Sequence, residues 1–390
     1  MADSLEKPFK IAIPDTEIEL LKKKLDLARF PDELEDSGKA YGVPLADIRR
    51  LTEHWKNGYD WRKHEAELND EFPQFTRDIG VDGFGMLNVH YVHKKSDAAD
   101  AIPLLFVHGW PGSFIEIRKI LPLLLQASPE HPSFTVVALS LPGYGFSEAP
   151  SKKGFEGNQM AETGHKLMLA LGYNEYVVQG GDWGALIGRT MAQLYGPAHV
   201  KAWHTNMPFA RPPEPFKQPL LYLQHVLFKY NARDQEALES NGRFFVQESA
   251  YMRLQATKPQ TVAYGLADSP ASLLGWIYEK LYAWTDNYPW TDDEGASLRM
   301  YYEMVSARGE AGLFSNLETV VPTGYSHFPK ETVRFPKRWY TCGFPNVIFE
   351  SYHESGGHFA ATERPEEVVG DLRRMFEKGG RAFNAVHDKN

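Results

Sequence analysis

The sequence predicts an α/β protein: a mostly parallel sheet with helices on both faces, an N-terminal extension and an inserted helical lid. Two observations carry this reading. Between about residues 96 and 210, and again after 321, short continuous apolar runs alternate with segments of helical period, the pattern of buried parallel strands joined by crossover helices. Between 211 and about 320 that rhythm stops, and helices separated by polar and proline-containing turns replace it. The predicted organisation is therefore 1–95 extension wrapping the core, 96–210 first part of the core, 211–320 lid, and 321–390 second part of the core.

In order, the extension opens with a strand, Phe9-Lys10-Ile11-Ala12-Ile13, and Pro14-Asp15 then introduces a helix carrying Ile18, Leu21 and Leu25. A second helix is predicted from Ala46 to Leu68, with Ile48, Leu51, Trp55 and Tyr59 on one face. Phe75–Ile79 and Leu87–Val92 alternate as strands across the Gly80–Gly85 turn region. Leu104–Val107 is the first buried strand and Phe114–Leu125 a helix. Thr135–Leu139, Tyr176–Gln179 and Val200–Trp203 are further strands, with helices Met160–Leu171 and Ala185–Tyr195 between them. After the lid, Arg338-Trp339-Tyr340 and Val347–Glu350 resume the sheet, and a helix Glu366–Phe376 ends it.

Composition narrows the function classes. With 42 basic and 51 acidic side chains, the net charge of −9 and the lack of a basic cluster leave no nucleic-acid surface. The single cysteine, Cys342, allows no internal disulfide framework. No signal peptide, membrane anchor or apolar run of spanning length is found, so a soluble, cytoplasmic protein is expected. Aromatic residues, 13% of the chain, concentrate between about 208 and 340, as a large-residue core or as the wall of an apolar pocket.

The sharpest motif is Gly180-Gly181-Asp182-Trp183-Gly184, after a buried strand and opening a helix. This is the setting of a nucleophile elbow, with Asp where a serine hydrolase has Ser; taken alone, Asp182 is also a common helix N-cap. Gly356-Gly357-His358-Phe359 follows the last strand, and His108-Gly109-Trp110-Pro111 follows an earlier one. Nucleophile first and His last is the chain order of an α/β-hydrolase fold, whose oxyanion donors would here be the backbone N–H groups of Trp110 and Trp183. His353-Glu354-Ser355-Gly356-Gly357-His358 superficially resembles a zinc helix, but the spacing is five and the glycines break a helix, so no metal is expected.

The choice of Asp has a chemical consequence. An epoxide or haloalkane carbon offers no carbonyl, and a serine attacking it would form an ether that water could not cleave. A carboxylate forms an ester instead, whose carbonyl water can attack. Asp is already ionised at neutral pH, so His358 is free to activate that water. Esterases and lipases are disfavoured on this ground, and no cofactor is required.

These motifs resemble those of epoxide hydrolases of the microsomal type, including soluble fungal members. The resemblance spans nearly the whole chain and is closest in Glu248-Ser249-Ala250-Tyr251-Met252, Thr257–Thr261, Asp268-Ser269-Pro270 and Trp276-Ile277-Tyr278-Glu279-Lys280. It implies two lid tyrosines that hold and protonate the epoxide oxygen: Tyr251, and Tyr301 in Arg299-Met300-Tyr301, with Tyr302 as its rival. It also implies an acid partner for His358 in Phe328-Pro329-Lys330-Glu331, before the penultimate strand, making Glu331 the choice and Glu350 and Glu354 the alternatives. A small apolar epoxide and water as substrates, a homodimer and a role in detoxification are compatible with the resemblance.

Two other functions remain open at this point. A haloalkane dehalogenase would share Asp182, Trp183 and His358 but need no proton-donating tyrosines. A silent ligand carrier on the same fold would have no use for an intact nucleophile, acid and base.

Overall fold

The strands follow the order β1-β2-β3-β5-β4-β6-β7-β8-β9 in one sheet. The computed structural model describes residues 5–292, 319–340 and 346–387. β1 (Lys7–Phe9), β2 (Gln74–Val81) and β3 (Gly85–Lys94) pair antiparallel, and β3 meets β5 (Phe134–Leu139) antiparallel. From there the ladder is parallel through β4 (Ile102–Val107), β6 (Tyr176–Gly180), β7 (Val200–Thr205), β8 (Thr323–His327) and β9 (Val347–Tyr352).

Alternation along the central strands builds two cores. Leu104, Phe106, Val136, Ala138 and Val177 point to one face and pack with Leu121 and Leu124 of α4 (Leu121–Leu125) and Leu372 of the helix Pro365–Met375. Leu105, Val107, Val137, Leu139 and Val178 point to the other, against Leu167 of α5 (Gly157–Ala170) and Met191 of α6 (Asp182–Tyr195). A strand buried on both faces has no polar side to show, which is why these runs read as continuous apolar stretches.

Between β7 and β8, where the lid is expected, the described residues form α7 (Pro219–Leu227), α8 (Ala232–Arg243), a π-helical turn Phe244–Glu248, α9 (Ala250–Thr257), α10 (Pro259–Asp268) and α11 (Pro270–Ala283). A third cluster, with Trp110, Met207, Phe244, Ile277, Trp284 and Phe359, joins the lid to the strand ends. Leu25 of α1 (Asp15–Asp26) and Ile48, Leu51 and Trp55 of α2 (Leu45–Asn57) pack on Leu274 of α11, so the extension supports the lid from outside.

Several elements differ from expectation. The first strand lies at Lys7–Phe9, while Ile11 is buried in the loop that follows. The helix expected over Ala46–Leu68 is two, α2 and α3 (Trp61–Glu71), because Gly58 closes one and Asp60 caps the next by accepting from the Lys63 N–H. Phe114–Leu125 likewise divides into a 3-10 turn, Phe114–Ile117, and α4. Arg338-Trp339-Tyr340 is helical, within Lys337–Tyr340, and the penultimate strand is the polar run Thr323–His327. That strand is buried despite its polarity because Ser326 bonds His204 and Asp371 inside the protein.

Three interior histidines make the fold acid-sensitive. Burial pushes His90 down to about 3, and His108 and His204 down to about 4. Below the ordinary value of 6.5 the unfolded chain therefore binds protons that the folded chain refuses, so stability falls as pH falls. Each costs on the order of 2 kcal/mol at pH 5. Thermal unfolding should accordingly shift down by several degrees between pH 7.5 and pH 5, and a midpoint independent of pH over that range would refute this assignment.

Candidate active site

The site begins where β6 ends. A Cβ on Gly180 would stand 2.5 Å from the Val107 carbonyl oxygen, and one on Gly184 only 1.8 Å from it. The elbow backbone therefore presses on the end of β4, which only glycine permits. Between them Asp182 adopts φ 49, a left-handed conformation that Asp tolerates better than most residues. The turn throws its carboxylate across the strand ends, where Oδ1 accepts from the Trp110 N–H at 2.7 Å. Gly109 leaves room for this, since a Cβ there would lie 2.2 Å from Oδ1.

The turn carrying Trp110 is fixed by His108. Its ring spans the Gly109 carbonyl, 3.0 Å from Nδ1, and the Leu141 N–H, which donates to Nε2 at 3.2 Å. The Trp110-Pro111 bond is cis. Trp183, the other expected oxyanion donor, occupies the second position of α6.

His358 Nε2 stands 3.5 Å from Asp182 Oδ2, and its Nδ1 is 2.6 Å from Glu331 Oε1. Glu331 follows β8 rather than preceding the penultimate strand, because that strand is Thr323–His327. A parallel bridge between Lys330 and Gly357 draws the loops after β8 and β9 together and sets the acid beside the imidazole. Thr332 holds the same Glu331 oxygen through its N–H at 2.7 Å and its hydroxyl at 3.1 Å. Glu350 instead bonds His327, Tyr352 and Lys337, and Glu354 is exposed. His353 turns to Asp371 at 2.8 Å, away from His358.

Burial alone would discharge His358, but the Glu331 and Asp182 carboxylates outweigh it and hold the imidazole well above the ordinary histidine range. Its protonated form is therefore favoured between the two carboxylates. Tyr251 stacks on Trp110 with centroids 4.6 Å apart and lies 5.3 Å from Trp284. Burial, then the Asp182 charge, raises its phenol well above 10, so it keeps its proton. Lys280 Nζ sits 4.4 Å from the Tyr251 ring centroid. Tyr301 and Tyr302 lie outside the described residues.

Sequence reasoning missed three residues that line the cavity beside Asp182: Glu116, Gln179 and Asn206. Gln179 adjoins the elbow motif and was open to notice; Glu116 and Asn206 arrive from distant turns and carried no local signal. Among the described residues no group of three or more His, Cys, Asp or Glu could hold a metal, and no helix is long and apolar enough to cross a membrane.

An Asp elbow at the end of a parallel strand, a backbone donor on the neighbouring strand's turn and a late His–acid pair define an α/β-hydrolase. The alpha/beta hydrolase fold family model matches residues 102–330, and the epoxide hydrolase N terminus model matches 6–117. Epoxide hydrolase 1 of Sus scrofa is 37% identical across 96% of this chain and 89% of its own length. Juvenile hormone epoxide hydrolase 1 of Ctenocephalides felis is 33% identical across 95% and 86%. The Aspergillus niger epoxide hydrolase structure superposes with TM-score 0.83 at 33% identity, covering 95% of this chain and 96% of that one. The juvenile hormone epoxide hydrolase structure from Bombyx mori gives 0.83 at 31% identity, covering 96% and 94%. The chain belongs to the epoxide hydrolase family.

Proposed function

We propose that the protein converts small apolar epoxides to vicinal diols through an ester on Asp182. The observation that carries this is the placement of Asp182, with one carboxylate oxygen on the Trp110 N–H and the other facing an imidazole backed by Glu331. Asp182 attacks a ring carbon while Tyr251 gives its proton to the departing epoxide oxygen, a role Tyr301 shares. The His358 imidazolium restores the phenol, and with Asp182 esterified one of the two charges that held the imidazolium is gone. His358 is now a neutral base.

Water then loses a proton to His358 and attacks the ester carbonyl, with the oxyanion on the Trp110 and Trp183 N–H groups. Collapse releases the diol alkoxide, which takes the proton from His358. The Asp182 acid returns its own proton to the imidazole, and the resting state is restored. The indoles of Trp110 and Trp284 beside Tyr251 suit an apolar epoxide. Against a dehalogenase stand the protonated Tyr251 phenol and the family, since a halide leaves without a proton.

A single turnover in 18O-labelled water tests this. Ester hydrolysis at the carbonyl puts unlabelled enzyme oxygen in the diol and the label in Asp182. Label appearing in the first-turnover diol would mean direct attack of water on the epoxide and would sink the proposal.

A further inference from the structure

We propose that Glu116 and Gln179 hold the hydrolytic water against the Asp182 ester, each supplying one hydrogen bond that His358 cannot. This rests on the ester reading of Asp182 and adds two residues to it. Both side chains line one cavity with Asp182, His358 and Asn206, and among the described residues its lining takes nothing from the lid helices α7–α11. Tyr251 is not among the residues that line this cavity.

Gln179 is 2% exposed, next to last in β6. Its amide N–H donates to Asn206 Oδ1 at 3.4 Å, which turns its carbonyl away from Asn206, and that oxygen has no hydrogen bond among the described residues. A buried acceptor left unpaired costs roughly 1–3 kcal/mol, and in a polar cavity water is the usual remedy. Glu116 comes from the 3-10 turn Phe114–Ile117. Its side chain folds back over the oxyanion turn, so closely that a Cβ on Gly112 would fall 1.3 Å from Oε1, and it accepts from the Ser113 backbone. The glycine at 112 makes space for this carboxyl group. Burial pushes Glu116 up to about 8, so near neutral pH it is an acid with a proton to share.

The valences of one water molecule fit this set. One hydrogen goes to His358 Nε2 and the other to the Gln179 carbonyl. One lone pair accepts from the Glu116 hydroxyl, and the last is left to attack Asp182 Cγ. A third carboxylate at that position would instead keep the imidazole protonated after the ester forms, leaving it unable to take a proton from water.

Rapid-quench kinetics with intact-mass detection, using styrene oxide as the probe, separates ester formation from ester breakdown. In Glu116→Leu and Gln179→Met the ester should form within about 3-fold of the wild-type rate but break down about tenfold more slowly, as expected for losing one hydrogen bond to the water. Glu116→Gln, which still donates and accepts, should recover most of the breakdown rate. Gln179→Met lies on a separate element, β6, and keeps the test decisive if leucine at 116 disturbs folding. An ester that breaks down at the wild-type rate in both apolar variants overturns the water site and leaves the Asp182 chemistry standing. No ester even in His358→Gln overturns both.

Discussion

Asp182→Asn is expected to fold as the wild type does and to lose turnover by about 10⁴-fold or more. The amide keeps the shape of the carboxylate but is not a nucleophile. The choice of Asn over Ala matters because residue 182 has φ 49. Asn enters the left-handed region readily, whereas Ala there costs roughly 1–2 kcal/mol. Asp182→Ala should therefore be inactive and also less stable, and comparing the two by thermal denaturation separates chemistry from strain. Residual activity above about one percent in the folded Asn variant would show that another group attacks the epoxide.

His358→Gln should leave the first half of the reaction running and stop the second. Ester formation consumes a carboxylate that needs no base, but its hydrolysis needs a proton taken from water, and general-base removal costs about 10²–10⁴-fold. The whole epoxide mass is added to Asp182, so intact-protein mass should rise by one epoxide and stay there. Peptide mapping should place the addition on the segment holding Asp182. Formation itself should slow, since the imidazolium that re-protonates Tyr251 is gone. A variant that neither gains mass nor turns over would count against the Asp182 ester itself.

How much of this was legible beforehand depended on distance along the chain. The elbow was readable because everything that makes it is contiguous: a buried strand, two glycines and a helix start within nine residues of Asp182. Helix limits were less so, and the break at Gly58 to Asp60 was hidden by apolar residues that keep their period across it. β8 was missed because its polar side chains are paired inside the protein, which a search for apolar runs cannot see. The acid partner of His358 was chosen by resemblance, and its placement needed the bridge between Lys330 and Gly357.

By itself the sequence determined the alternation of strands and helices up to the helical insertion, the carboxylate at the bend and the late histidine, because local sterics and alternation act over a few residues. The tertiary structure alone decided which carboxylate faces the imidazole, that Glu116 and Gln179 share a cavity with Asp182, and that two carboxylates favour the charged form of His358. Those are consequences of distance and burial between segments far apart in the chain. Electrostatic energy depends on separation in space, and no periodicity in the chain records it.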